Sequence, residues 1–228
     1  MTIYIKRDNL REYEIPLENP TLLQALKYIK SELDRTLSYN SSCGSSVCGS
    51  CAVRVDSKER LACAHRLVGG EVIEPLRNTK VIRDLVVDSH YPLSFNQKVQ
   101  TWLIPQSDKI ELTQESEAAT KLQSNCILCM ACFSACPVYE VNHNFIAPFT
   151  FTRALRYLKD ARCKDEIPIL SLLQTDGIYE CTLCGECSAA CPQDISSKDD
   201  VVALRNLSAM SGFVDPNFLS SFGGGLEF

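Results

Sequence analysis

Histidine is scarce in this sequence of 228 residues: only His65, His90 and His143 occur. None falls in an HExxH pair or a triad-like context, which argues against metalloprotease and nucleophilic hydrolase chemistry. Also missing are a P-loop and a GxGxxG turn between strand and helix; Gly223 to Gly225, in the tail "SFGGGLEF", lack that context and read as an exposed, flexible end. No apolar run reaches the roughly 18 residues that a membrane-spanning helix needs. Basic charge is not in excess, because the formal net charge is −5, and no cationic footprint for nucleic acid results. The first sixteen residues show no charged start followed by an apolar stretch and cleavage site, so a cytosolic, reducing setting is expected.

Against these absences stand thirteen cysteines. A disulfide framework needs an oxidising compartment and usually a much shorter chain, so metal is the better reading. Twelve of the thirteen fall into three groups of four, the ligand count of three tetrathiolate centres, and Cys163 stands outside them. Cys43, Cys48 and Cys51 follow C-x4-C-x2-C, with Cys63 further on, which is the plant-type ferredoxin spacing for a 2Fe–2S cluster. Zinc is the plainer alternative, but its paired-cysteine layout does not match. Gly44 and Gly49 would allow close backbone approach, with peptide N–H groups turned to the sulfurs.

The second and third groups are copies of one pattern: "CILCMACFSACP" from Cys126 to Pro137 and "CTLCGECSAACP" from Cys181 to Pro192 both read C-x2-C-x2-C-x3-C-P. This is the bacterial ferredoxin run, in which the fourth cysteine binds the other run's cluster. Three closely spaced thiolates grip three corners of a cubane while the next is carried away along a helix. Cys126, Cys129, Cys132 and Cys191 are then expected to hold one 4Fe–4S cluster, and Cys136, Cys181, Cys184 and Cys187 the other. Pro137 and Pro192 would fix the chain's exit. Two zinc knots would also use eight cysteines, but a duplicated motif with a terminal proline does not suit them.

Around these groups the chain reads as α+β. Ile3 and Ile5, then Tyr13 and Ile15, alternate with polar neighbours as in a half-buried hairpin. Asn19 and Pro20 supply an N-cap and first-turn proline, followed by Leu22, Leu26, Ile29 and Leu33 at helical spacing. "CAVRVD", a polar turn at residues 57–59 and "EVIEPL" add strands, and the order suggests a β-grasp. The expected division is a β-grasp 2Fe–2S domain over residues 1–95 and an α-helical two-cluster domain over 96–228, with the boundary at Tyr91 to Phe95. Pro148 should open a helix carrying Phe151, Leu155 and Leu158 on one face, and a second helix should end near Gly177.

A plant-type 2Fe–2S module followed by a helical two-cluster module resembles the iron–sulfur subunit of succinate dehydrogenase and fumarate reductase, the respiratory complex II family. "CGSCAVRVDSKERLAC" looks like its first cluster loop, "VIRDLVVD" like its interdomain stretch and "NFIAPFTFTRALRYLKDAR" like the segment between the two later motifs. The resemblance implies an electron relay with no substrate-converting site of its own. It implies a flavoprotein partner carrying FAD, a membrane anchor with quinone at its interface, and a place at the inner face of the cytoplasmic membrane. Electrons would run from flavin to the Cys43 group, then to the Cys126 group, then to the Cys181 group.

Well-known members resembling this chain have valine or isoleucine where Cys184 stands, leaving a 3Fe–4S centre; a fourth thiolate here predicts 4Fe–4S, with 3Fe–4S as the alternative. Val141 and Thr182 depart from the family's quinone-pocket tryptophan and histidine, while Pro137 and Arg205 match, Arg205 reading as a solvated helix charge. The pattern is closer to succinate dehydrogenases whose third subunit is a cysteine-rich, heterodisulfide-reductase-like protein. Competing expectations are the iron–sulfur subunit of another flavoprotein oxidoreductase, of the glycolate or glycerol-phosphate dehydrogenase or heterodisulfide reductase type, and a free-standing multi-cluster ferredoxin.

Overall fold

The computed structural model describes residues 1–103 and 110–216; the tail with Gly223 to Gly225 lies outside the described residues. The amino-terminal half is built on a five-stranded mixed sheet. Strands β1 (Thr2–Lys6) and β2 (Leu10–Glu14) form an antiparallel hairpin in which Ile3 faces Tyr13. Strands β3 (Ala52–Val55) and β4 (Lys58–Leu61) form another, and β5 (Val72–Glu74) runs between the pairs, parallel to β1 and antiparallel to β3. The order β2-β1-β5-β3-β4, with helix α1 (Leu22–Tyr28) crossing it, is a β-grasp. Ile3, Ile5, Val53, Val55 and Ile73 meet Leu22, Leu26 and Ile29 in its core, all buried. Burial of this apolar surface, at about 25 cal/mol per Å², favours the folded module.

Local details depart from the sequence expectations. The helix cap is Thr21, whose hydroxyl accepts from the Gln24 N–H while the Gln24 side chain accepts from the Thr21 N–H; Asn19 instead sits at φ +45° in the turn before it. Leu33 is 49% exposed rather than on the buried face. The reason is a widened π turn over Ile29–Leu33, closed by the Asp34 N–H on the Ile29 carbonyl at 2.6 Å, which rotates Leu33 away from the stripe that the earlier leucines share. The β3–β4 turn centres on Asp56 and Ser57, both at positive φ, so Lys58 and Glu59 are strand residues.

A short pair, β6 (Val81–Arg83) and β7 (Val86–Val87), leads into the helical half. Its helices are α2 (His90–Lys98), α3 (Gln114–Ser124), α4 (Ala131–Ser134), α5 (Pro137–Val141), α6 (Pro148–Leu158), α7 (Ile167–Leu172), α8 (Glu186–Ala189) and α9 (Ser197–Met210). The hub is α6, which begins at Pro148 and buries Phe151, Leu155 and Leu158 as expected, packing against α2, α3, α4 and α9. Helix α7 stops at Leu172, five residues before Gly177. The following loop turns so tightly that a β-carbon at Gly177 would lie 1.9 Å from the Leu173 carbonyl oxygen. Phe95, Phe133, Tyr139 and Phe149 bring α2, α4, α5 and α6 together, with the Phe133 and Tyr139 rings 4.4 Å apart. No helix among the described residues is long and apolar enough to cross a membrane.

Candidate metal centres

The two later cysteine runs adopt the same backbone path, because they share the same spacing. In the first, Leu128 and Met130 take left-handed conformations before α4; in the second, Leu183 and Gly185 do so before α8. Left-handed backbone disfavours L side chains, so its recurrence at equivalent positions marks a functional loop and not a chance turn. The path wraps peptide N–H groups around the sulfurs. The Leu183 N–H reaches Cys181 Sγ at 3.4 Å, and the Leu128 and Ala131 N–H groups point to Cys126 and Cys129. Pro137 opens α5 directly after Cys136, and the Val138 and Tyr139 N–H groups serve that sulfur. Such donors favour an anionic, sulfur-rich group.

Cys126, Cys129, Cys132 and Cys191 line one cavity, together with Ile127, Leu128, Phe149 and Ile195. Cys136, Cys181, Cys184 and Cys187 line a second. Each run therefore contributes three thiols to its own cavity and the fourth to the other. Both cavities hold about 350 Å³ of atom-free space, part of it open to solvent. Burial pushes the Cys129 and Cys187 thiols up to about 12 and lifts Cys132 well above the ordinary thiol range. Several buried thiolates are costly without a cation among them, and a positively charged iron core offsets that cost. Four thiols around one cavity are the ligand count of a tetrathiolate centre, and the exchange of the fourth thiol between the two runs is the ferredoxin arrangement of a polynuclear cluster.

The first group lies in the loop between α1 and β3 and on the turn after β4. Cys43 stands beside Cys48, and Cys51 beside Cys63. The environments are opposed: a hydrogen bond with Ser50 at 3.1 Å holds the Cys48 thiol down to about 6, whereas burial pushes Cys51 up to about 11. The Ser45 N–H donates to Cys43 Sγ at 3.3 Å, and Ser46 Oγ lies 3.5 Å from Cys63 Sγ. Val47 in the same loop is 66% exposed, so one side of this group faces outward.

Arg205 is not a solvated charge, as its sequence context suggested. From α9 its Nε and Nη2 donate to the Ile178 carbonyl at 2.9 and 2.7 Å, and Nη2 donates to the Cys181 carbonyl at 2.7 Å. It thus holds the chain as it enters the third cysteine group, something only the tertiary contacts reveal. None of the three histidines lines either cavity.

Comparison with known proteins agrees with this architecture. Residues 5–93 match the family described as a 2Fe-2S iron-sulfur cluster binding domain, and residues 123–195 the 4Fe-4S dicluster domain family. The fumarate reductase iron-sulfur subunit of Mycobacterium tuberculosis is 39% identical over 80% of this chain and 79% of its own length. An uncharacterized iron-sulfur protein of Methanocaldococcus jannaschii is 36% identical over 94% of this chain, which spans only 44% of that longer protein. In fold, a chain of the Mycobacterium smegmatis Sdh1 complex in its apo form superposes with a TM-score of 0.82 at 21% identity, covering 92% of this chain and 96% of the other. The chain belongs to the family of electron-transferring iron–sulfur subunits of succinate dehydrogenases and fumarate reductases.

Proposed function

We propose that this chain carries three iron–sulfur centres between a flavoprotein and a third subunit: 2Fe–2S on Cys43, Cys48, Cys51 and Cys63, 4Fe–4S on Cys126, Cys129, Cys132 and Cys191, and a second 4Fe–4S on Cys136, Cys181, Cys184 and Cys187. Each such centre supplies one-electron chemistry, accepting and releasing a single electron at a time. The observation that carries this reading is the pair of cavities, each ringed by four thiols drawn crosswise from two copies of one motif. The residues here bind, shield and orient. Phe149 and Ile195 keep the Cys126 cavity apolar, Phe145 and Phe151 do so for the Cys136 cavity, and the turned N–H groups take up sulfur charge.

The FAD-bearing flavoprotein would meet the first group on its outward-facing side, where Val47 lies beside Cys48. A third subunit would take the electrons from the last group. That subunit is a membrane anchor or a cysteine-rich protein; the longer relative, in which this module fills less than half of the chain, supports a partner that docks closely on it. Peripheral attachment to the inner face of the cytoplasmic membrane follows from such a partner, with quinone at its interface if it is an anchor.

Anaerobic purification of the native complex tests the reading. Iron and sulfide for all three centres, a co-purifying flavoprotein and succinate or fumarate turnover are expected; zinc in place of iron refutes it. Cys184→Ser should convert only the last centre and leave the other two spectra unchanged. A stoichiometric 3Fe–4S signal from fresh wild-type protein would refute the 4Fe–4S assignment of the last centre.

A further inference from the structure

Gly49 lies between Cys48 and Cys51 with φ +72°. A β-carbon there would stand 2.8 Å from Cys129 Cβ, 2.8 Å from the Ile127 carbonyl oxygen and 2.9 Å from Cys129 Cα. Two of these neighbours are backbone atoms, which cannot swing aside. The first cysteine loop therefore rests directly on the second cysteine run, with no side chain from position 49 between them. Beside this contact, Gln193 Nε2 donates to the Ser46 carbonyl at 3.0 Å. Gln193 follows Cys191 and Pro192 and lines the same cavity as Cys129. The first loop is thus held at two points, against both segments that bring thiols to the Cys126 cavity.

Gly44 supplies the contrast. It belongs to the same loop and takes a similar φ of +68°, yet a β-carbon there would meet nothing within 4 Å. At Gly44 the missing side chain serves the turn alone. At Gly49 it serves the turn and the close approach of two metal-binding loops.

We propose that Gly49, seated by the Gln193–Ser46 hydrogen bond, is the positioning residue that sets how close the Cys43-group centre lies to the Cys126-group centre. This rests on the reading above that both groups hold iron–sulfur clusters. The physical consequence is on coupling: any side chain at 49 must push the Ile127–Cys129 segment away, and the coupling of two one-electron centres weakens steeply as they part.

The test uses the native complex, prepared without oxygen and fully reduced, and reads the spin relaxation of the 2Fe–2S signal by electron paramagnetic resonance. In the wild type this signal should relax fast, because a second paramagnetic centre is adjacent. Gly49→Ala should slow the relaxation while iron and sulfide stay at wild-type content. Gly44→Ala, with the same left-handed strain but open space, should keep wild-type relaxation. Gln193→Ala, which adds no backbone strain, should slow it in the same direction as Gly49→Ala and decides the matter if Gly49→Ala fails to assemble. Unchanged relaxation in Gln193→Ala and in any assembled Gly49→Ala protein overturns the proposal, and so does an equal loss in Gly44→Ala. A wild-type complex lacking the 2Fe–2S signal altogether overturns instead the cluster reading on which it rests.

Discussion

Arg205 illustrates how much one side chain can do at the edge of a metal loop. Its guanidinium is a planar fork of donors, and here it spans the carbonyls of Ile178 and Cys181, with Tyr179 O at 3.4 Å. Hydrogen bonds to a charged group contribute about 1.5–3 kcal/mol, so Arg205→Ala should loosen the start of the third cysteine run selectively. It also removes a positive charge near Cys181, whose thiol Arg205 helps to draw down against the larger effect of burial. A negative cluster losing a nearby cation becomes harder to reduce. The expected result of a potentiometric titration is a more negative potential, or partial loss, of the last centre alone, with the 2Fe–2S signal unmoved. Arg205→Lys should recover the charge effect but only part of the loop stability, because an ammonium group lacks the fork. Equal shifts in all three centres, or none, would show that the contact is idle.

At the scale of elements, α3, α6 and α9 are knotted by a buried polar cluster beside the Cys126 cavity. Asp200 Oδ1 accepts from Gln123 Nε2 at 2.9 Å and Asp200 Oδ2 from Thr152 Oγ1 at 2.7 Å, while Ser197 Oγ lies 3.0 Å from Thr152 Oγ1. Thr152→Val keeps the volume and deletes the donor, leaving a buried carboxylate oxygen short of a partner. The expected cost is about 1–3 kcal/mol, read as a lower denaturation midpoint of the cluster-loaded protein, and Thr152→Ser should restore it. A neutral Thr152→Val would mean that the knot is not under load. This network was invisible in the sequence, where Gln123, Thr152 and Asp200 are distant and unremarkable. What was legible had a period or a spacing: the Ile3–Ile5 and Tyr13–Ile15 alternation, the Phe151–Leu155–Leu158 stripe, and above all the cysteine runs, whose chemistry fixes their intervals. What was not legible depended on neighbours. Leu33 left its stripe because of a single wide turn, Thr21 displaced Asn19 as cap because Gln24 could answer it, and Gly49 needed Cys129 to explain it.

For the whole molecule, the question is what joins the two modules, since loops on both carry the thiols. Beyond the Gln193–Ser46 contact, the interface centres on Ser134, which is fully buried at the end of α4. Its hydroxyl donates to Glu59 Oε1 of β4 at 2.8 Å and accepts from the Arg77 N–H at 2.9 Å. Next to it, Asn78 Nδ2 donates to the carbonyls of Phe133 at 2.8 Å and Cys136 at 3.2 Å, so the first module grips the stretch joining Cys132 of one cavity to Cys136 of the other. The nearby Arg77–Glu140 ion pair, at 2.7 Å with both side chains about two-fifths exposed, adds little by comparison. Ser134→Ala leaves Glu59 Oε1 with only its 3.7 Å ion pair to Arg54 and takes the acceptor from the Arg77 N–H, at about 1–3 kcal/mol. Hydrogen exchange should therefore quicken at the backbone amides of α4 and β4 while those of the β1–β2 hairpin, on the far edge of the sheet, keep their wild-type rates. If exchange rises uniformly, Ser134 supports global stability and not the junction; if it rises nowhere, the junction is held by its other contacts and Ser134 adds nothing to it.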